Sequence, residues 1–271
     1  MKPPPFHYRK PDDLVEALEL LAEPAAFALA GGQDLVPLLN SRKVRPSTVV
    51  DIDGLEPLRG ISDEDGKVWI GALSRHRDVL DSRLVADRLG LLHKAAGHIG
   101  HGAIRNRGTL GGSCASALPG AELPAVLVAL GASVHLVSAA GSRILPAGEF
   151  FGGQPTALAT GELIDGVTVP VPQDGTRWSF AEHTRRGAFK FPLVNVAVVR
   201  PPAGPARVVV GGGAAGPVAL EAEQAAGLAG QDLADRLTLT DDPGAGRLYK
   251  ARIARALIEH CSRRAEGTNT P

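Results

Sequence analysis

The chain has 271 residues, with 29 Lys and Arg against 29 Asp and Glu and a 44% hydrophobic fraction, enough for one large domain or two ordinary ones with a real core. The charge balance argues against a partner selected by bulk electrostatics, because binders of nucleic acid or anionic membranes carry a basic surplus. Two cysteines, Cys114 and Cys261, are too few for a four-thiolate zinc site or an iron–sulfur cluster held by this chain alone. Such sparse use fits a reducing cytoplasm, and neither a signal-peptide core nor an apolar run near the ~20 residues of a bilayer span is found.

In chain order, a Pro-rich, strand-like opening leads to Pro11-Asp12-Asp13, which reads as a helix start followed by Leu14, Leu18 and Leu21 on one face. Ala25 to Leu29 is a short apolar run ending in Gly31-Gly32. A short helix around Leu35 to Leu39 and a strand from Thr48 to Ile52 complete an α/β unit. A second block begins after Pro57, with a strand at Val68 to Gly71, a helical stretch from Leu84 to Gly97 and a Gly-rich loop from Arg107 to Ser113. An apolar helix from Glu122 to Leu130 and a strand from Ala132 to Val137 follow. Strand-like runs then lie at Leu163 to Val171, Trp178 to His183 and Val194 to Arg200. From Arg207 a strand gives way to Ala-rich helices, ending with Leu248 to Arg264. The expected division is residues 1–174, in subdomains of about 1–56 and 57–174, and residues 175–271 as a small sheet with helices. Pro170, Pro172 and Gly175 mark the joint.

Three glycine clusters lack the Cβ atoms that keep backbone N–H groups away from a phosphate: Ala30 to Asp34, Thr109 to Ser113, and Gly211 to Gly216. The third matches G-x-G-x-x-G after a Val208-Val209-Val210 strand, the form of a nicotinamide-binding Rossmann turn. Pro217, however, stands where the helix should run, and no second strand closes a crossover, so a Gly-rich hairpin or turn is the better reading. The first two loops each precede a helix-forming stretch. Flanked by Gln33, Asp34, Thr109 and Ser113, they can present unpaired amides to one diphosphate from two sides.

Ala30-Gly31-Gly32-Gln33-Asp34-Leu35, Ile104-Arg105-Asn106-Arg107-Gly108-Thr109-Leu110-Gly111-Gly112-Ser113 and Pro119-Gly120-Ala121-Glu122-Leu123-Pro124 together resemble the FAD-binding medium subunit of molybdenum hydroxylases. Carbon monoxide dehydrogenase and xanthine dehydrogenase belong to that family. The resemblance covers nearly the whole chain, including Phe6-His7-Tyr8, Gly161 to Ile164, Arg185-Arg186 and Tyr249-Lys250. It implies an α+β chain with a vanillyl-alcohol-oxidase (PCMH)-type FAD-binding fold of two α/β subdomains and a C-terminal domain like that of carbon monoxide dehydrogenase flavoproteins. It also implies FAD as cofactor, held by Ala30, Gly31, Gly32, Gln33, Asp34, Leu35, Thr109, Gly111, Gly112 and Ser113 around the diphosphate. Glu122 matches an acidic position near the cofactor, Phe191 an aromatic position near the flavin ring and Ile164 a segment near the adenine. The implied role is an electron-transfer subunit of an oxidoreductase, partnered by a [2Fe-2S] small subunit and a molybdopterin-binding large subunit in a heterotrimer or a dimer of heterotrimers.

The chain departs from that pattern at Gln33, where relatives carry Thr, Ser or His, and at Leu118 and Lys190, where they carry Asp. A Lys190 ammonium near the flavin N1 region would stabilise reduced, anionic flavin, and a solvated loop lysine is the competing reading. Two alternatives stay open: a stand-alone FAD-dependent oxidase or dehydrogenase, which would need a substrate pocket with its own base, and, motivated by Leu118 and Lys190, a scaffold that retains the fold with an altered flavin site. His93, His98 and His101 are not spaced for one metal, and Cys114 reads as a small residue packed beneath the second loop. No catalytic triad and no metal site are expected.

Overall fold

The computed structural model describes residues 2–153, 156–184, 191–242 and 244–267. These residues form an α+β structure around three sheets. The first holds β1 (His7–Arg9), β2 (Ala26–Leu29) and β3 (Thr48–Asp51), parallel and in the order β1-β3-β2. The Asp13 carboxylate caps α1 (Leu14–Leu21) by accepting from the Glu16 amide at 2.9 Å, and α2 (Leu35–Asn40) follows the first glycine loop. Ala17, Leu18 and Leu21 pack against Val50, Ile52 and Leu58, with Leu73 and Leu163 entering the same core from later in the chain.

The second sheet is antiparallel, in the order β4-β5-β8-β6-β7, from β4 (Ile61–Glu64), β5 (Lys67–Gly71), β6 (Ser133–Ser138), β7 (Gly141–Pro146) and β8 (Leu163–Pro170). Between β5 and β6 run α3 (His76–Asp81), α4 (Arg83–Arg88), α5 (Gly90–His98), α6 (Gly102–Arg105), α7 (Leu110–Ser116) and α8 (Glu122–Leu130), and α9 (Ala147–Phe150) follows β7. The helix expected over Leu84 to Gly97 is therefore two. Leu89 leaves helical geometry between them at φ −129° and ψ 51°, and the missing Cβ of Gly90 admits the Trp178 indole, whose Cζ2 lies 2.7 Å from where that atom would be. All nine residues of α8 are buried, as a helix apolar on every side must be.

The last sheet is an antiparallel meander in the order β12-β11-β10-β9, built from β9 (Arg177–Thr184), β10 (Pro192–Arg200), β11 (Arg207–Gly211) and β12 (Val218–Glu221). The two-residue strand period explains its position. Phe180, Ala197 and Val209 face the core that contains α8. Val194, Val196, Val198, Val208 and Val210 face a separate core completed by α10 (Ala222–Gly227), α11 (Gly230–Arg236) and α12 (Arg247–Glu266). The segment from Gly211 to Gly216 is the connection between antiparallel β11 and β12, so its G-x-G-x-x-G pattern is a turn. Its glycines permit close backbone approach: a Cβ on Gly213 would meet the Leu237 carbonyl oxygen at 1.8 Å, and one on Gly216 that of Phe151 at 2.2 Å. Among the described residues, no helix is long and apolar enough to cross a membrane.

Candidate flavin site

The two glycine loops meet. A Cβ on Gly31 would lie 2.0 Å from the Arg107 carbonyl oxygen and 3.0 Å from the Gly108 Cα, a separation open only to glycine. Gly32 turns the chain at φ +73° into α2. Among the described residues, the amides of Gly31, Gly32, Gln33 and Asp34 take no acceptor, while the Gln33 side-chain amide donates to the Gly31 carbonyl at 3.2 Å. This first loop is an array of open donors at a backbone cradle that a side chain would fill, which suits a diphosphate. Ala30 and Leu35 flank it, both partly exposed.

The second loop contributes differently from the expectation of two amide arrays. Leu110 donates its amide to Ser74 O at 2.9 Å, Gly111 to Ala72 O at 2.8 Å, Gly112 to Thr109 Oγ1 at 3.1 Å and Ser113 to Thr109 O at 3.0 Å. Thr109 is buried as the cap of α7, and Gly111 is buried because its Cβ would stand 2.6 Å from that of Ala72. Antiparallel pairing with Ala72 and Ser74 thus uses up the amides of Leu110 and Gly111, and Thr109 itself takes those of Gly112 and Ser113. What this loop offers a ligand is the partly exposed surface of Gly112 and Ser113. Cys114 beneath them is fully buried, and burial pushes its thiol up to about 12, so it stays protonated and inert at neutral pH.

A second group gathers at the start of α8. The missing Cβ of Gly120 admits the Pro192 carbonyl, whose oxygen would lie 2.1 Å from it, placing exposed Phe191 beside the turn into Glu122. Leu118 is exposed on the same turn. Glu122 itself is buried. Burial pushes its carboxyl up to about 7; Glu182 adds to the shift, while its own backbone amide and His98 oppose it. His98 Nδ1 stands 3.2 Å from Glu182 Oε1 and its ring meets Phe180 edge-on at 5.3 Å. His98 thus has a carboxylate partner, supplied from β9 and invisible to local spacing. Ile164 is 5% exposed and packs into the core of the second sheet, leaving its side chain little surface for a ligand. Its neighbour Asp165 accepts the Ala72 amide at 2.9 Å, which keeps this segment beside Gly111. Lys190, Arg185 and Arg186 lie outside the described residues.

Residues 4–172 match the model of a family described as the FAD binding domain in molybdopterin dehydrogenase. The chain belongs to that family. It is 44% identical over 189 residues to the 6-hydroxypseudooxynicotine dehydrogenase complex subunit alpha of Paenarthrobacter nicotinovorans, covering 69% of this chain and 64% of the relative. It is 40% identical over 190 residues to the caffeine dehydrogenase subunit beta of Pseudomonas sp. (strain CBB1), again covering 69% and 64%. The matched stretch thus spans slightly under two thirds of these relatives. Among solved structures, a carbon monoxide dehydrogenase from Hydrogenophaga pseudoflava that lacks the Mo-pyranopterin moiety superposes with a TM-score of 0.88 at 31% identity, over 98% of this chain and 99% of that one. The cofactor of this family's domain is FAD.

Residues that local reading did not single out also shape the site. Asn195, fully buried on β10, donates through Nδ2 to the carbonyls of Gly120 at 2.7 Å and Ala121 at 3.1 Å. Arg75 donates to the Arg107 carbonyl and also pairs with Asp53. His76 lies beneath Gly108, and burial, with repulsion from Arg105 and Arg75, holds its imidazole down to about 4. Their partners are remote in sequence, so no spacing rule signals them.

Proposed function

We propose that the chain is the FAD-carrying electron-transfer subunit of a molybdenum hydroxylase-type dehydrogenase. In this reading it receives electrons from the clusters of a [2Fe-2S] small subunit, alongside a molybdopterin-binding large subunit in a heterotrimer or dimer of heterotrimers. Bound FAD supplies the redox chemistry, accepting electrons singly and releasing them in pairs. The observation that carries the reading is the contact of Gly31 with Arg107, beside four amides with no acceptor among the described residues. The names of the relatives, as subunits of dehydrogenases, support it.

In this assignment Gly31, Gly32, Gln33 and Asp34 hold the diphosphate by their amides, with Gly112 and Ser113 facing it and Thr109 and Gly111 shaping the second wall. Glu122 and Phe191 are assigned to border the cofactor, with Lys190 assigned to the flavin end and the backbone around Ile164 to the adenine end. Residues 1–174 are assigned to FAD binding and 175–271 to the C-terminal domain. Two buried free cysteines accord with a reducing cytoplasm.

Supplying FAD to the purified full-length chain and recording its visible spectrum tests the cofactor; absence of bound flavin bands sinks the assignment. Affinity capture from cells tests the assembly. Recovery of iron–sulfur and molybdopterin chains is expected, and a flavin-loaded chain that oxidises a small alcohol alone would replace this reading with a stand-alone oxidase.

A further inference from the structure

We propose that Asp53, gripped by Arg59 and Arg75, is a strut that sets the spacing between the two glycine loops, making Arg75 a positioning residue for FAD retention. This rests on the flavin assignment above. Asp53 lies two residues after β3, the central strand of the sheet that delivers the first loop. One nitrogen of the Arg75 guanidinium pairs with Asp53 Oδ1, and the other donates to the carbonyl of Arg107. That carbonyl is the one against which Gly31 is packed.

A closed circuit results. It runs from Gly31 through β2 and β3 to Asp53, across Arg75 to Arg107, and back by contact to Gly31. Arg59 closes a second side, donating to Asp53 Oδ1 at 3.1 Å and to the Leu73 carbonyl at 3.4 Å. The side chains of Arg75 and Asp53 are 13% and 25% exposed, so the charge-assisted bonds are partly shielded from water.

The fork matters more than the charge. Arg75 serves two acceptors on different segments through two nitrogens of one rigid plane, which a lysine ammonium on a flexible stem does not reproduce. The pairing of Leu110 with Ser74 and of Gly111 with Ala72 holds the second loop to its own subdomain, but these bonds do not reach the first loop. Leu73, between those two acceptors, packs into the core with Val50 and Ile52, and the strut adds a charge-assisted tie from the second loop to the end of β3.

The test uses the FAD-free full-length chain, with FAD affinity read by flavin fluorescence and folding read separately by circular dichroism and urea denaturation. In variants that remain folded, Arg75→Gln is expected to weaken FAD about tenfold or more, mostly through faster release. Arg75→Lys should recover only part of that loss, and Asp53→Asn should fall between wild type and Arg75→Gln. Because the groups form one circuit, the double variant should be no weaker than Arg75→Gln alone. Arg255→Gln is the control: it breaks the ion pair with Glu259 on α12, which bridges no glycine loop, and should lower stability without changing FAD affinity. Wild-type protein that takes up no FAD overturns the flavin assignment and the strut together. Wild-type protein that binds FAD while folded Arg75→Gln and Asp53→Asn bind equally well, or losses that simply add in the double variant, overturn the strut alone.

Discussion

Asn195 reaches across 75 positions of sequence to donate its side-chain amide to the carbonyl of Gly120, at 2.7 Å, in a fully buried setting. The bond couples the last sheet to the turn that aims Glu122, so the C-terminal portion is part of the site's framework. Asn195→Leu removes both donated bonds and strands the Gly120 and Ala121 carbonyls away from water. A loss of about 3 kcal/mol in urea unfolding is expected; an unchanged midpoint would refute the role.

Glycine substitutions separate the two loops by mechanism. Gly31→Ala drives a Cβ into the Arg107 carbonyl and should weaken FAD about tenfold or more by parting the loops. Gly111→Ala presses on Ala72 instead, and should lower stability by about 2 kcal/mol as an overpacking change. Gly102→Ala meets nothing within 4 Å and should be silent in both assays. Comparable FAD loss in all three would contradict this division.

Two buried groups give opposing pH dependences. The folded Glu122 carboxyl titrates near 7, above its ordinary value of 4.5, so the folded state holds the extra proton between those values. Its contribution is therefore intact below 4.5 and is lost as pH rises toward 7, by about 3 kcal/mol at the usual 1.4 kcal/mol per pKa unit. His76, held down to about 4 from 6.5, runs the other way: its contribution is present above 6.5 and is lost as pH falls toward 4. Glu122→Gln removes the first dependence only. Relative to wild type it should gain stability at pH 8 compared with pH 4.5, and parallel urea profiles at the two pH values would disprove the shift.

Lys250, 2% exposed at the start of α12, pairs with Asp242. Removing the partner leaves a buried ammonium uncompensated, so Asp242→Asn should cost about 3 kcal/mol, whereas Lys250→Met, which removes the charge with its hydration demand, should cost much less. Thermal unfolding of both variants decides; equal losses would mean that the pair contributes through shape rather than charge.

Much of the architecture is legible locally. The Asp13 cap, the Leu14–Leu18–Leu21 stripe, the apolar run of α8 and the valine-rich runs of β10 and β11 correspond to the observed elements. Strands β4, β7 and β12 were not read from the chain. β4 carries Ser62, Asp63 and Glu64, and β7 is almost wholly exposed, so neither shows the alternation that marks a half-buried strand. The break at Leu89 was likewise hidden, and the Trp178 indole that packs against Gly90 just after it belongs to a strand almost ninety positions later.

Sequence alone determined the identity of the loops: glycines at 31, 32, 111 and 112, the flanking polar residues, and Pro217 as the mark of a turn are properties of neighbouring residues, which local backbone sterics suffice to interpret. Tertiary structure decided which loop keeps its amides open, what covers Gly111, and that Arg75, Asp53, Asn195 and Glu182 belong to the site. Those outcomes depend on segments that approach only when the sheets pack, and the hydrogen bonds and excluded volumes that result carry no periodic or short-range signature.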